Sequence, residues 1–326
     1  MKVLVYSTLD MERPCYVGLE EEYGIELELV KENPTVENAK LAVGADAVSV
    51  ITTPVNADVI QALYDNGVKY ISTRNIGYDH IDIEKAKEIG MGVGNSSYMP
   101  ESVAEYTIMM MLMAMRKATI ITDAYKKQDY TLAGKMGALL HGATVGVVGT
   151  GKIGYTVIKI LSAFGCKILA YDPYENEEVK KFAQYVDLDT LVKESNVITL
   201  HAPSTNETNH MINKESISKM KQGVVIVNAA RGVLVDTDAL IEGLENGKIG
   251  FAALDVLEGE SPVYYKNFEG QPAPLKSIEQ LSKYPNVILT PHTAFYTQNA
   301  IVEMVRNSIK SCALEIKGEA NPWRIV

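Results

Sequence analysis

The stretch Ala143–Gly154, closed by Tyr171-Asp172, constrains this 326-residue chain more than any other part of it. Thr144 to Val148 is a short β-branched run, the length of a buried strand. Gly149, Gly151 and Gly154 follow in G-x-G-x-x-G spacing, and Tyr155 to Phe164 reads as a helix with Ile153, Val157, Ile160, Leu161 and Phe164 on one face. Gly165 ends that helix, and Lys167 to Asp172 is a second strand finishing in an acid. Each glycine has a task. Gly149 permits the tight turn, Gly151 lets the backbone approach a pyrophosphate, and Gly154 lets helix and strand pack closely. The helix start offers unpaired N–H groups and a positive dipole end to that anion. Asp172 can accept from the adenosine ribose hydroxyls, and its charge repels a 2′-phosphate. Three glycines alone are a weak signal, because a tight βα turn uses them too. Strand, glycines, helix, strand and acid in order point to a bound dinucleotide.

Charge and composition exclude several alternatives. A formal charge of −10 argues against nucleic acid and against an anionic membrane surface. An anionic substrate must then be drawn in by local cations. Cys15, Cys166 and Cys312 show neither metal spacing nor a disulfide framework, so no metal site is expected, and the chain fits a reducing cytoplasm. The opening Met1-Lys-Val-Leu-Val-Tyr is too short and strand-like for an export signal, and the greasiest run, Tyr106 to Met115, is about half a membrane span.

Strand and helix patterns alternate along the chain. Val3–Tyr6, Ile25–Val30, Ala47–Ile51, Val68–Ser72 and Met91–Val93 read as strands, with helical patterns over Asp58–Tyr64 and Ile83–Ile89. Such alternation implies a parallel sheet covered on both faces. Two loops follow strands of this part, Ser72 to His80 and Asn95 to Pro100, where ligands bind in such sheets. Pro100 opens a helix expected to reach about Lys127, whose methionine-rich centre suits core or subunit packing. Strands ending near His201, Arg231, Asp255 and His292 follow the glycine turn, and Glu258 to Pro285 reads as a long irregular loop. Whether its Tyr264, Tyr265 and Phe268 close over a site stays open. Thr297 to Ile316 reads as the last helix.

Arg231, Glu260 and His292 lie at strand ends of one sheet edge. A guanidinium fork grips a carboxylate in two bonds and stays charged. A histidine can give a proton to a developing alkoxide, and a carboxylate beside it fixes the tautomer and favours the charged ring. Together they suit hydride transfer to a carbonyl next to a carboxylate. Each residue also has an ordinary reading: Arg231 in a salt-bridged turn, Glu260 solvated beside Glu258, and His80, His141 and His210 as surface or turn residues. Pattern alone leaves His201 and His292 tied as the acid.

Gly149 to Gly154 with Asp172, Asn228-Ala-Ala-Arg231-Gly232, Ala253 to Glu260 and Thr290-Pro-His292 resemble the D-2-hydroxyacid dehydrogenase family over essentially the whole chain. The spacings, 29 residues from Arg231 to Glu260 and 32 from Glu260 to His292, fit it. Thr73 to Asp82 and Pro291 to Thr297 resemble its D-lactate dehydrogenase branch, which includes glycopeptide-resistance enzymes. The resemblance implies two doubly wound α/β domains. Residues 1–99 plus 299–326 would form a flavodoxin-like substrate domain, and 100–298 a Rossmann domain for NAD, assembled as a homodimer. It implies that Arg231 holds the substrate carboxylate, that His292 is the acid/base and that Glu260 supports it. The amides of Ile76 and Gly77 would help bind the carboxylate, with Tyr98, Phe295 and Tyr296 around the substrate. Lys152, Ile153, Asp172, Ala202, Pro203, Thr208, Ala229, Ala230 and Asp255 match cofactor-contacting positions, beside Arg231 and His292 themselves. Glycopeptide-resistance relatives can lack the acid at Asp172 and prefer NADPH, so its presence favours NADH. Bulky aromatics favour a small keto acid, pyruvate, over 2-ketoisocaproate or phenylpyruvate. A non-catalytic NAD-sensing protein on the same scaffold, like the family's corepressors, is the second class of reading.

Overall fold

The computed structural model describes residues 1–326 as two compact units, Met1–Met99 with Tyr296–Val326, and Pro100–Phe295. The chain returns to the first unit at Tyr296, three residues before the boundary expected at 299. The physical reason is local: Thr297 caps the last helix, Gln298–Lys317, by accepting from the Ala300 amide at 3.2 Å, so the cap travels with its helix.

In the first unit β1 (Lys2–Val5), β2 (Glu26–Leu29), β3 (Ala47–Val50), β4 (Tyr70–Thr73) and β5 (Gly92–Gly94) form one parallel sheet, in the order β2-β1-β3-β4-β5. The order reverses between β1 and β3, a doubly wound, flavodoxin-like arrangement. Val48, Ile60, Leu63 and Ile71 fill one face, and Val3, Val5, Val305 and Ile309 the other. Burial on both faces is why these strands are nearly all apolar.

In the second unit β6 (Thr144–Val148), β7 (Lys167–Tyr171), β8 (Gln184–Tyr185), β9 (Val197–Leu200), β10 (Val224–Asn228), β11 (Ile249–Leu254) and β12 (Val287–Leu289) form a parallel sheet, in the order β12-β11-β10-β9-β6-β7-β8. Here the order reverses between β6 and β9, which puts a crevice at their carboxyl ends. The helix Lys152–Ala163 packs one face with Val157, Ile158 and Leu161.

The helix after Pro100 does not reach Lys127. It ends at Met115, Lys117 turns left-handed at φ 51°, and a second helix covers Ala118–Lys126. The cause is non-local: the returning chain donates from the Ala138 amide to the Met115 carbonyl at 2.8 Å, and Gly137 lies so close that a Cβ there would meet that carbonyl at 2.7 Å. The methionine-rich helix lies in this unit's own core, with Met110 and Met111 buried. Met109 of that helix is exposed, and the following segment also exposes Tyr125, Tyr130, Leu132, Met136 and Leu139.

Candidate active site

The dinucleotide turn sits at the reversal of the second sheet. Gly149 takes φ 90°, and a Cβ there would meet the His201 and Ala202 backbone at 2.6 to 2.7 Å. A Cβ at Gly154 would collide with the Gly149 carbonyl oxygen. Over Gly151 there is open space where a Cβ meets nothing, at the start of the helix Lys152–Ala163. Close packing behind and open space in front is what a diphosphate at a helix start needs. Asp172, one residue past β7, is anchored there. Its Oδ2 accepts from the Thr150 amide at 2.7 Å and the Thr150 hydroxyl at 3.2 Å, and its Oδ1 from the Tyr174 amide at 2.9 Å. These residues therefore fit a dinucleotide. Ala202 and Pro203 follow β9, and Thr208 closes their turn by donating to the Pro203 carbonyl at 2.7 Å. Ala229 and Ala230 follow β10 in a turn held by Asn228, whose side chain accepts from the Ala230 amide at 3.0 Å and donates to the Arg231 carbonyl at 2.8 Å. Lys152 and Ile153 open the helix, Lys152 exposed and Ile153 half-buried.

Of the two histidines tied on sequence, only His292 has a carboxylate partner. Its Nδ1 lies 2.5 Å from Glu260 Oε1, while the Leu257 amide donates to Glu260 Oε2 at 2.5 Å. That bond assigns the proton on Nδ1 and leaves Nε2 for other work. His201 is half-buried and has the Thr199 hydroxyl at 3.0 Å, and desolvation pushes its pKa down to about 4. A shift in that direction favours the neutral ring, which is a poorer proton donor than a charged one.

His292 is held in a left-handed turn, φ 53°, which a residue with a Cβ seldom adopts. Asp255, fully buried at the end of β11, holds that turn. Its carboxylate accepts from Thr290 Oγ1 at 2.6 Å and from the amides of Thr293 and Ala294 at 2.9 Å, and its carbonyl accepts from the His292 amide at 2.7 Å. The expected cofactor contact at Asp255 therefore falls on a side chain with extensive bonding to the histidine turn. Tyr265 settles part of the question about the long loop: its hydroxyl donates to the His292 carbonyl at 2.9 Å. That loop is also not irregular throughout, since Lys276–Leu281 is helical. The Phe295 ring meets the His292 ring edge-on, with centroids 6.4 Å apart.

Arg231 follows the Asn228 turn and donates from Nη1 to the Ala230 carbonyl at 2.8 Å. His210 lies in a turn, as expected, but it also has a carboxylate partner. His210 Nε2 lies 2.6 Å from Glu258 Oε1, so neither is simply solvated. The carboxylate bond is the main cause that raises the His210 pKa. No sequence signal marked this pair, which spans 48 residues.

In the first unit, Ile76 and Gly77 lie in the loop after β4. Asn95 donates to the Ile76 carbonyl at 2.8 Å and the Ser96 amide to the Asn75 carbonyl at 2.9 Å, so the loops after β4 and β5 are tied together. Arg74, fully buried, binds Glu12 Oε1 at 3.2 Å, Ser49 Oγ at 3.1 Å and the Tyr6 carbonyl at 2.9 Å. Tyr98 is half-buried between two pinned neighbours: the Ser97 carbonyl accepts from Asn307 at 2.6 Å, and the Met99 amide donates to Glu303 at 2.7 Å. The Tyr296 hydroxyl lies 2.6 Å from Met11 Sδ.

A dinucleotide turn with a histidine–carboxylate pair on the same sheet edge defines a nicotinamide-dependent dehydrogenase as the class of protein. Residues 108–294, more than half the chain, match the D-isomer specific 2-hydroxyacid dehydrogenase NAD binding domain. The chain belongs to that family and is an NAD-dependent D-2-hydroxyacid dehydrogenase. It is 42% identical over 311 residues, 95% of each chain, to a D-specific alpha-keto acid dehydrogenase of Enterococcus faecium. An aromatic 2-oxoacid reductase of Clostridium sporogenes is 40% identical over 329 residues, covering 100% of this chain and 99% of that one. Among solved structures, a D-lactate dehydrogenase from Treponema pallidum covers 100% of both chains at TM-score 0.89 and 32% identity. The chain thus catalyses NAD-dependent reduction of a 2-keto acid. No helix is long and apolar enough to cross a membrane.

Proposed function

We propose that the chain reduces pyruvate to D-lactate with NADH, and that Arg231, Glu260 and His292 carry the reaction. The bond between His292 Nδ1 and Glu260 at 2.5 Å carries this reading. NADH, when bound, supplies the hydride. Arg231 grips the substrate carboxylate with its fork, helped by the amides of Ile76 and Gly77. His292, oriented by Glu260, delivers a proton from Nε2 to the carbonyl oxygen and takes it back in the oxidation direction. Asp172 selects NADH over NADPH.

The Phe295 ring beside His292 supports a small substituent on the keto acid, as does the likeness to a D-lactate dehydrogenase. Tyr98 and Tyr296 supply the remaining aromatic surface. A second reading, a larger aromatic 2-keto acid, has its own support in the Clostridium sporogenes relative. Comparing kcat/KM for pyruvate and phenylpyruvate separates the two. A preference for phenylpyruvate overturns the pyruvate assignment and leaves the reaction class intact. The exposed apolar side chains of Tyr125, Tyr130, Leu132, Met136 and Leu139 suit a second copy of the chain, and light scattering of Leu132→Asp against the parent protein tests that homodimer. Three unpaired cysteines suit a cytoplasmic location.

A further inference from the structure

The loop Leu257–Glu260 carries two carboxylates, and each meets a histidine from elsewhere in the second unit. Glu260 meets His292 at 2.5 Å, and Glu258 meets His210 at 2.6 Å. The second oxygen of Glu258 accepts from the Thr237 hydroxyl at 3.0 Å, at the start of the helix Thr237–Glu245. His210 is itself fixed. Its amide donates to the Val233 carbonyl at 2.8 Å, and its carbonyl accepts from the Asn213 side chain at 2.9 Å. Its backbone is left-handed at φ 50°.

Between the two carboxylates lies only Gly259, left-handed at φ 72° and with open space around it. Glycine takes this left-handed conformation without strain, which lets the two carboxylates on either side turn to separate partners. Glu260 is tied to the same short loop, its amide donating to the Leu257 carbonyl at 3.3 Å and the Leu257 amide to its Oε2 at 2.5 Å, so the placement of the loop sets the approach of Glu260. Beneath the loop, a Cβ on Gly232 would collide with the Leu257 carbonyl and meet the Glu258 amide nitrogen at 2.5 Å, so the loop rests directly on the backbone beside Arg231. The His210–Glu258 bond anchors it from the other side.

We propose that Glu258, held by His210 and Thr237, is a positioning residue for the reaction, fixing the loop from which Glu260 orients His292. This rests on the reading that Glu260 and His292 act as a pair. Neither His210 nor Glu258 touches the reacting atoms; both act through Glu260. A misplacement of about 1 Å, even from a change remote from the reacting atoms, is enough to slow the chemistry.

The test is a double-mutant cycle on the full chain, with Glu258→Gln, Glu260→Gln, the double variant and His210→Gln. kcat and KM are measured with NADH and with pyruvate and phenylpyruvate in turn, alongside NADH affinity and thermal unfolding. Glu258→Gln and His210→Gln should each lower kcat by about tenfold while NADH affinity holds. Added to Glu260→Gln, the Glu258 substitution should cost less than about twofold more, because both changes remove the same support. An undiminished loss in the Glu260→Gln background overturns the proposal, since Glu258 would then act independently. So does wild-type kcat in both Glu258→Gln and His210→Gln. Wild-type kcat in Glu260→Gln overturns the reading beneath it, and is distinguishable from either result.

Discussion

Replacing Asp255 by Asn is a small change with a large expected effect. Asp255 is fully buried, and its Oδ1 accepts from Thr290 Oγ1 at 2.6 Å and the Thr293 amide at 2.9 Å, while Oδ2 accepts from the Ala294 amide at 2.9 Å. An amide of the same size keeps one acceptor oxygen. Its NH2 must then face a hydroxyl and an amide on one side, or the Ala294 amide on the other. The milder orientation leaves the Ala294 N–H without its acceptor and turns the remaining bonds from charged to neutral. Each unsatisfied buried donor costs about 1–3 kcal/mol, and the loss of charge adds roughly another 1 kcal/mol. The total is about 2–4 kcal/mol, which should lower Tm by roughly 4–10 °C. The damage falls on the turn that holds His292 at φ 53°. kcat should therefore drop by about tenfold or more. Thermal unfolding followed by circular dichroism, and loss of NADH absorbance with a 2-keto acid, measure both quantities. NADH affinity should fall by less than kcat, because most of the carboxylate's bonds run to the histidine turn. Wild-type Tm and wild-type kcat together would refute the reasoning.

Three further outcomes follow from the same geometry. Arg231→Lys keeps the charge but not the fork, so KM for the keto acid should rise by about ten- to a hundredfold; unchanged kcat/KM removes Arg231 from substrate binding. Asp172→Ser removes the charge that would repel a 2′-phosphate, so the NADH to NADPH preference should move toward NADPH by at least about tenfold, and a constant ratio shows that the acid does not face the ribose. Glu258 raises the His210 pKa above its ordinary 6.5, so the folded state binds that proton more tightly. The resulting stability is complete below that ordinary value and is lost as pH rises through the folded one. The Tm gap between the parent protein and Glu258→Gln should thus be wider at about pH 6 than at about pH 9, and a gap that widens with pH contradicts the pairing.

The parts legible in the sequence are those written in local patterns. Thr144–Val148 is a strand over the residues that its β-branching suggested, and the glycines fall where the sheet order reverses. Strands of the first unit shift by one or two residues, because an apolar run does not mark where its ladder bonds end. The rest depends on contacts between distant residues. The helix break at Lys117 is set by Ala138, Arg74 finds Glu12 across 62 residues, and His210 finds Glu258 across 48. No periodicity carries such pairs. The sequence singles out Glu260 by its spacing and resemblance, but Glu258 has no such mark, and only its bond to His210 shows that it is held.

The tie between His201 and His292 gives the most direct measurement. kcat for NADH-dependent reduction of pyruvate is compared in the parent protein, His292→Ala and His201→Ala, with NADH affinity as the control. His292→Ala should lose roughly a hundredfold to ten-thousandfold in kcat with NADH affinity nearly intact, while His201→Ala, lacking a neutral ring held by Thr199, retains most of its turnover. A crippled His201→Ala beside a nearly normal His292→Ala would contradict the assignment.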